Sequence, residues 1–206
     1  MATLKIHGLP PSTFTRTVLM AAEEKGISYE LVMTRPGEMG PFNPFLKIPA
    51  MVHGDLTLFE SIAILRYFER AFGGTQLWPG EPRASALVDQ WSSAVGDSLV
   101  NAALRYMAAR FGFLPVSAEM AQKYLDKTRE VVPHFDRQLG KAKYLAGPSL
   151  SAADLYLAPL LFYFPDIPEL KSLLDAAPHC RRWLGEMATR PSVRATEPSF
   201  KPQLAA

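Results

Sequence analysis

"NPFLKIPAMVHGDLTLFESIAILRYF", residues 43–68, holds two extended runs and one helical run in immediate succession. Ala50 to His53 and Leu56 to Phe59 read as short strands, joined by Gly54-Asp55 in a tight hairpin turn. After Glu60-Ser61 the apolar period changes. Ile62, Leu65, Tyr67, Phe68 and Phe72 form the stripe of an amphipathic helix that stops at Gly73-Gly74. The stretch is therefore a β-β-α unit.

Upstream, "LKIHG" (4–8) puts Leu4 and Ile6 on one face of a strand. "TRTVLMAAEEKG" (15–26) spaces Val18, Leu19 and Ala22 as a helix ending at Gly26, and "YELVM" (29–33) reads as a second strand. The order is β-α-β followed by β-β-α. Downstream, Trp78-Pro79-Gly80-Glu81-Pro82 is a rigid, helix-free connector, and no strand pattern follows it. The spacing predicts helices over 83–111, 118–139, 152–162 and 178–189. The first exceeds the usual globular length, so a kink near Gly96 or a break near Gly112 is expected. The tail after Arg190 reads as irregular. The expected organisation is an α/β domain over 1–77, a linker over 78–82 and an all-helical domain over 83–206.

Composition narrows the function classes. The 206 residues are 48% apolar, enough for a sizeable core. Twenty-two Lys and Arg against 20 Asp and Glu leave a net charge of +2 with no block of like charge, which argues against nucleic acid or anionic membrane as a partner. The opening "MATLKIHG" has no export pattern, and the longest apolar run, "LYLAPLLFYF" (155–164), is too short to span a bilayer. A cytoplasmic setting is expected. Cys180 is the sole cysteine, which excludes an internal disulfide and any CxxC site; His7, His53, His134 and His179 show no ligand spacing. No metal or bound cofactor is expected.

Three places could carry chemistry. Ser12 follows the first strand at the start of the first helix, where its hydroxyl can cap the helix or hydrogen-bond a ligand. A thioredoxin-like domain carries its CxxC in this slot; here it reads Pro10-Pro11-Ser12-Thr13, which excludes disulfide exchange but allows a hydrogen bond to another molecule's sulfur. Ile48-Pro49 stands just before a strand. Proline is ordinary there, but a cis bond would turn the N–H and C=O of Ile48 outward to pair with an extended peptide. Glu60-Ser61 heads the helix after the hairpin. The pair is either a cap with a favourable first-turn acid or a holder of an α-amino acid head, with Ser61 and free N–H groups on the carboxylate and Glu60 on the ammonium. Ser151 and Asp154 read as a capping box. Tyr106, Met107, Phe111 and Phe113 read as core or as pocket lining.

Taken in order along the chain, these features resemble the glutathione transferase family. "GLPPSTFTRTVLMAAEEKGISYELV" is similar to the N-terminal segment of the serine-type members, closest to the phi class. "NPFLKIPAMVHGDLTLFESIAILRYF" resembles the family's glutathione-binding stretch, "YLAGPSLSAADLYLAP" its C-terminal helix cap, and "ATRPSVRAT" its usual ending. The resemblance implies a thioredoxin-like domain followed by an all-helical one, with glutathione as co-substrate. It implies that Ser12 donates to the glutathione sulfur, with Thr13 and Thr15 as alternatives. It implies that Ile48 pairs with the cysteinyl backbone, that Pro49 is cis, and that Glu60 and Ser61 hold the γ-glutamyl head. The phi pattern's His-Lys pair is absent from "MTRPGEMGPFNPF", and Lys47 replaces the usual Gln, so Lys47 is assigned the glycine carboxylate. Pro11, Tyr106, Arg110 and Phe113 are the expected electrophile pocket.

The implied activity is conjugation of glutathione to small apolar electrophiles. A glutathione-dependent peroxidase, isomerase or dehalogenase is the enzymatic alternative, and a non-catalytic ligand-binding or docking module is the other. A two-fold homodimer is implied, in which Asp97 either reaches the partner's γ-glutamyl ammonium or stays solvated. Cys180 reads as a packing residue, with mixed-disulfide formation with glutathione as its alternative.

Overall fold

The computed structural model describes residues 3–200 and 202–204. Two compact units emerge, one of residues 1–78 with 189–201 and the other of 79–188 with 202–206. In the first, β1 (Leu4–Gly8), α1 (Thr13–Lys25) and β2 (Tyr29–Met33) form a parallel crossover, while β3 (Ala50–His53) and β4 (Leu56–Phe59) form the hairpin that leads into α2 (Ser61–Ala71). The sheet order is β2-β1-β3-β4, with β3 antiparallel to both neighbours. This is the expected thioredoxin-like βαβ-ββα order. Ile6, Met20, Met51, Ile64, Leu65 and Phe68 are fully buried and form its core.

Register is what positions the site. Gly8 lies opposite Met33, His7 opposite Ala50, and Ala50 opposite Phe59. The ends of β1, β2 and β4 and the beginning of β3 therefore share one edge of the sheet. At the other end of α1, the buried Lys25 ammonium donates to Glu69 at 3.0 Å and to the Thr75 carbonyl at 3.1 Å. That pairing removes the cost of an isolated buried charge.

The second unit is all-helical. Its first helix runs from α3 (Pro82–Ala94) through ten residues of wide, π-type turns (Val95–Leu104) into α4 (Arg105–Arg110). Both sequence signals in this helix have a counterpart: the turns widen from Val95, beside Gly96, and the chain breaks at Gly112, whose φ is 73°. Within the wide turns the Asn101 side chain donates to the Asp97 carbonyl at 2.8 Å, and Asp97 itself is exposed. Helices α5 (Ala118–Leu139), α6 (Ala152–Leu161), α7 (Pro168–Asp175) and α8 (Pro178–Ala188) complete the unit.

Two readings of the chain are corrected. No helix is expected between 162 and 178, yet Pro168–Asp175 is helical, with Pro168 in the first helical turn, where no donor is lost. The tail is also ordered: Pro191–Ala195 is helical (α9) and packs with residues 1–78, so residues 189–201 belong to the first unit and not to the helical one. The cause is a set of contacts to α1 made by Arg190, Ser192 and Val193.

Asp154 is the polar centre of the helical unit. It is fully buried and accepts from the Leu145 N–H (2.8 Å), the Ser151 N–H (3.0 Å), the Ser151 hydroxyl (2.8 Å) and the Trp183 indole (3.1 Å). The expected capping box is thus the core of a larger network. Cys180 is buried, and burial with the Asp136 carboxylate pushes its thiol up to about 12. Such a thiol stays protonated, which favours packing over mixed-disulfide chemistry.

Asp154→Ala strands four buried donors and is expected to cost about 3 kcal/mol of unfolding free energy at neutral pH, read from denaturant curves. Burial raises the Asp154 carboxyl to about 6 against hydrogen bonds from Leu145 and Ser151. A pKa raised on folding contributes stability that is fully present below about 4 and lost as pH rises through about 6. The gap between wild type and Asp154→Ala should accordingly narrow from pH 4 to pH 7.5; a gap that widens would contradict this account.

Candidate functional site

Ser12 occupies the turn between β1 and α1. Its backbone is extended (φ −69°, ψ 124°), and its hydroxyl oxygen accepts from the Thr15 N–H at 3.3 Å, which makes it the N-cap of α1. A serine hydroxyl has one proton and two acceptor lone pairs. Capping uses only an acceptor site, so the proton remains available to a ligand. The neighbouring hydroxyls are placed differently. Thr13 is buried, and Thr15 is fully buried with an oxygen that finds no partner among the described residues. Thr15 lies against Gly8 so closely that a Cβ there would stand 2.4 Å from Oγ1, which explains why only glycine fits.

The segment before β3 is held by a residue that the sequence reading missed. Asn43, 2% exposed, donates from Nδ2 to the Lys47 carbonyl at 2.8 Å and accepts from the Phe45 N–H at 2.9 Å. Asn43-Pro44 was its signal, since Asx turns commonly open this way. The Ile48-Pro49 bond is cis, and among the described residues neither the N–H nor the C=O of Ile48 is hydrogen-bonded. Lys47 is exposed.

Glu60 precedes α2 with φ 67° and ψ 115°, a conformation that non-glycine residues rarely adopt and that concentrates at ligand sites. No side chain caps α2. Ser61 is 7% exposed, its hydroxyl has no hydrogen bond among the described residues, and the first N–H groups of the helix stand beside it. A helix start left in this state favours an anion, and the exposed Glu60 carboxylate favours a cation next to it.

These groups come from separate parts of the chain, but the strand register puts them together. Ser12 follows the end of β1, Ile48-Pro49 precedes β3 opposite it, and Glu60-Ser61 follows β4 opposite the same Ala50. The loop over 34–49 is tied to this edge by the Thr34 N–H donating to the Gly8 carbonyl at 3.1 Å. His7 also secures it, stacking on Phe42 with centroids 3.9 Å apart and hydrogen-bonding Thr34 Oγ1 at 3.2 Å. Burial, helped by the nearby Lys5 charge, lowers the His7 pKa, so the ring is neutral at physiological pH and packs as an aromatic.

Of the residues expected to line an electrophile pocket, Pro11 is half-buried beside Ser12. The other three lie in the helical unit. Tyr106 is buried and accepts from Arg110 Nη1 at 3.1 Å; Arg110 also pairs with Glu169 of α7. Burial raises the Tyr106 phenol, which keeps it neutral. Phe113, just past Gly112, is 70% exposed, with its ring centroid 6.3 Å from that of Phe111.

One end of a thioredoxin-like sheet thus carries a helix-capping hydroxyl at Ser12, an unpaired backbone at Ile48 and an uncapped helix start at Ser61. Residues 11–71 match the family Glutathione S-transferase, N-terminal domain, and residues 91–191 match Glutathione S-transferase, C-terminal domain. The chain belongs to the glutathione transferase family. Among curated relatives, a probable glutathione S-transferase GSTF1 of Oryza sativa subsp. japonica is 32% identical over 98% of this chain and 99% of its own. Glutathione S-transferase F6 of Arabidopsis thaliana is 31% identical over 94% and 99%. Among solved structures, glutathione transferase F7 of Populus trichocarpa superposes with a TM-score of 0.83 at 29% identity, covering 94% of this chain and 97% of that one. Glutathione S-transferase I from maize, solved with an atrazine glutathione conjugate, gives 0.82 at 31% identity over 95% and 97%.

The stranded Thr15 hydroxyl makes a direct prediction. Thr15→Val removes a buried unpaired oxygen at constant volume, so unfolding stability should hold or rise by up to about 1 kcal/mol, with glutathione conjugation retained. Gly8→Ala, which drives a methyl into the same atom, should destabilise by about 1–3 kcal/mol. Loss of activity in a well-folded Thr15→Val protein would make Thr15 a functional hydroxyl.

Proposed function

We propose that the chain conjugates the glutathione thiolate to small apolar electrophiles, with Ser12 as the donor that favours the thiolate. The single observation that supports this most is the convergence of Ser12, Ile48 and Glu60-Ser61 on one sheet edge with their ligand-directed groups unpaired. In this reading the open N–H and C=O of Ile48 pair with the cysteinyl unit. Ser61 and the start of α2 take the γ-glutamyl carboxylate, Glu60 takes its ammonium, and Lys47 takes the glycine carboxylate. No observation favours the alternatives, peroxidase, isomerase or dehalogenase chemistry on the same thiolate.

The energetics divide the work. A thiol with a pKa of about 8.5 is ~3% thiolate at pH 7, and lowering it by about two units takes roughly 2.7 kcal/mol. A hydrogen bond to a charged group supplies ~1.5–3 kcal/mol, and a helix N-terminus ~0.3–1 kcal/mol. Ser12 and α1 together reach that sum. A less basic thiolate is also less nucleophilic, by ~0.4–0.5 log unit per pKa unit. The net gain at neutral pH is therefore only a few-fold, and most acceleration must come from holding the electrophile against the sulfur. We assign that task to the helical unit, with exposed Phe113 as apolar surface.

We also propose a two-fold homodimer, acting in the cytoplasm. Each unit exposes large apolar side chains: Phe45 (64%) and Leu46 (50%) beside the site loop, and Leu87 (43%) on α3. A self-complementary contact would cover them. Light scattering in salt should give twice the chain mass of 22.8 kDa; a monomer at micromolar concentration would remove this proposal and any shared-site role for Asp97.

For the chemistry, Ser12→Ala should raise the pH at which bound glutathione ionises, followed by thiolate absorbance, and lower turnover of an activated aryl chloride. Lys47→Ala should instead raise the Michaelis constant for glutathione with little change in turnover, the pattern of lost uniform binding. An unchanged ionisation in Ser12→Ala would reduce Ser12 to a helix cap.

A further inference from the structure

Helix α1 carries Ser12 at its start and is hydrogen-bonded to a piece of chain more than 160 residues away. Arg190 grips Glu24, in the last turn of α1, with two hydrogen bonds of 2.7 Å, Nε to one carboxylate oxygen and Nη2 to the other. The Ser192 hydroxyl donates to the same carboxylate at 2.5 Å. Three residues after Arg190, the Val193 carbonyl accepts from Arg16 Nη2 at 3.1 Å. Arg16 is 5% exposed, and its own N–H closes the first turn of α1 on the Ser12 carbonyl at 2.9 Å. One segment therefore holds α1 at both ends, running opposite to it, across the ~12 Å that eight helical residues span.

These contacts are built to hold. A bidentate guanidinium–carboxylate pair fixes direction as well as distance, and the Glu24 side chain is only 8% exposed. Burial alone would raise the Glu24 carboxyl; the hydrogen bonds from Arg190 and Ser192, with the Arg190 charge, overcome this and hold it below its ordinary value. The segment is itself braced, since the Thr196 hydroxyl donates to the Ser192 carbonyl at 2.8 Å. A hydroxyl that must meet a sulfur within a few tenths of an ångström needs the first turn of α1 fixed in place.

We infer that Arg16, Glu24 and Arg190 are positioning residues for Ser12, with the segment Arg190–Val193 acting as a strap that sets α1 against the bound thiol. This rests on the reading of Ser12 as the thiolate donor. It assigns the tail a task in the reaction and not only in stability. It also explains why residues after the helical unit return to the first one.

The test uses the full-length chain with glutathione and an activated aryl chloride, comparing Arg16→Met, Glu24→Gln and Ser12→Ala with wild type. Thiolate absorbance against pH, turnover, the Michaelis constant for glutathione and thermal unfolding are measured together. Both strap variants should raise the apparent pKa of bound glutathione in the same direction as Ser12→Ala. They should cut turnover at pH 7 by no more than Ser12→Ala does, a few-fold, while the Michaelis constant moves less than about two-fold. Arg16→Lys, which keeps a donor within reach of Val193, should restore the titration. Should Arg16→Met fail to fold, Glu24→Gln and Arg190→Lys decide. Strap variants that melt earlier yet titrate and turn over as wild type, while Ser12→Ala shifts, would overturn the inference and leave a stability clasp. If Ser12→Ala leaves the titration unmoved, the reading of Ser12 fails; a shift in the strap variants alone would then show that they act on something other than Ser12, and the inference falls with it.

Discussion

Ala50 is paired on both sides, with His7 of β1 and with Phe59 of β4, and every part of the candidate site depends on that double pairing. It makes the end of β1, the start of β3 and the end of β4 coincide. Strands of four or five residues have little length over which to average an error. A slip of one residue would turn each side chain to the opposite face and move Ile48 and Glu60 away from Ser12. The buried faces of Ile6 and Met51 hold the register.

Given that edge, the site is made largely of backbone. The groups offered to a peptide are the N–H and C=O of Ile48 and the first N–H groups of α2, with hydroxyls from Ser12 and Ser61 completing them. Backbone groups at helix starts and strand openings are preorganised, so binding costs little reorganisation. The positive φ of Glu60 and of Leu46, 67° and 54°, marks where the chain departs from relaxed geometry to present them. Ser12 caps α1 with its oxygen, and that leaves its proton uncommitted, which is what the proposed role toward a sulfur requires.

The helical unit rests on a different kind of constraint. Four donors converge on the buried Asp154, joining the start of α6 to the residue Leu145 before it and to Trp183 of α8. Such a carboxylate is specific because each donor would be stranded without it. In the first helix of this unit the turns widen at Val95, so carbonyls such as that of Asp97 find other donors.

From sequence alone, local periodicity determined the strands 29–33, 50–53 and 56–59, the helix 118–139, the capping box at Ser151 and Asp154, and the candidates Ser12, Ile48-Pro49 and Glu60-Ser61. These are legible because they depend on neighbours within a few residues: alternation, turn chemistry, caps. Whether Thr15 was a rival hydroxyl or a buried one, and what His7 does, depended on contacts across the sheet edge, which no local pattern carries. Helix α7 was hidden because proline signals a break and a helix start with the same residue. The return of the tail to α1 was hidden for a deeper reason. Glu24 and Arg190 are unremarkable charges until folding brings them within 2.7 Å, and only burial makes such a pair directional. The tertiary structure decided those contacts because their energy comes from excluded water and fixed geometry, neither of which exists along an unfolded chain.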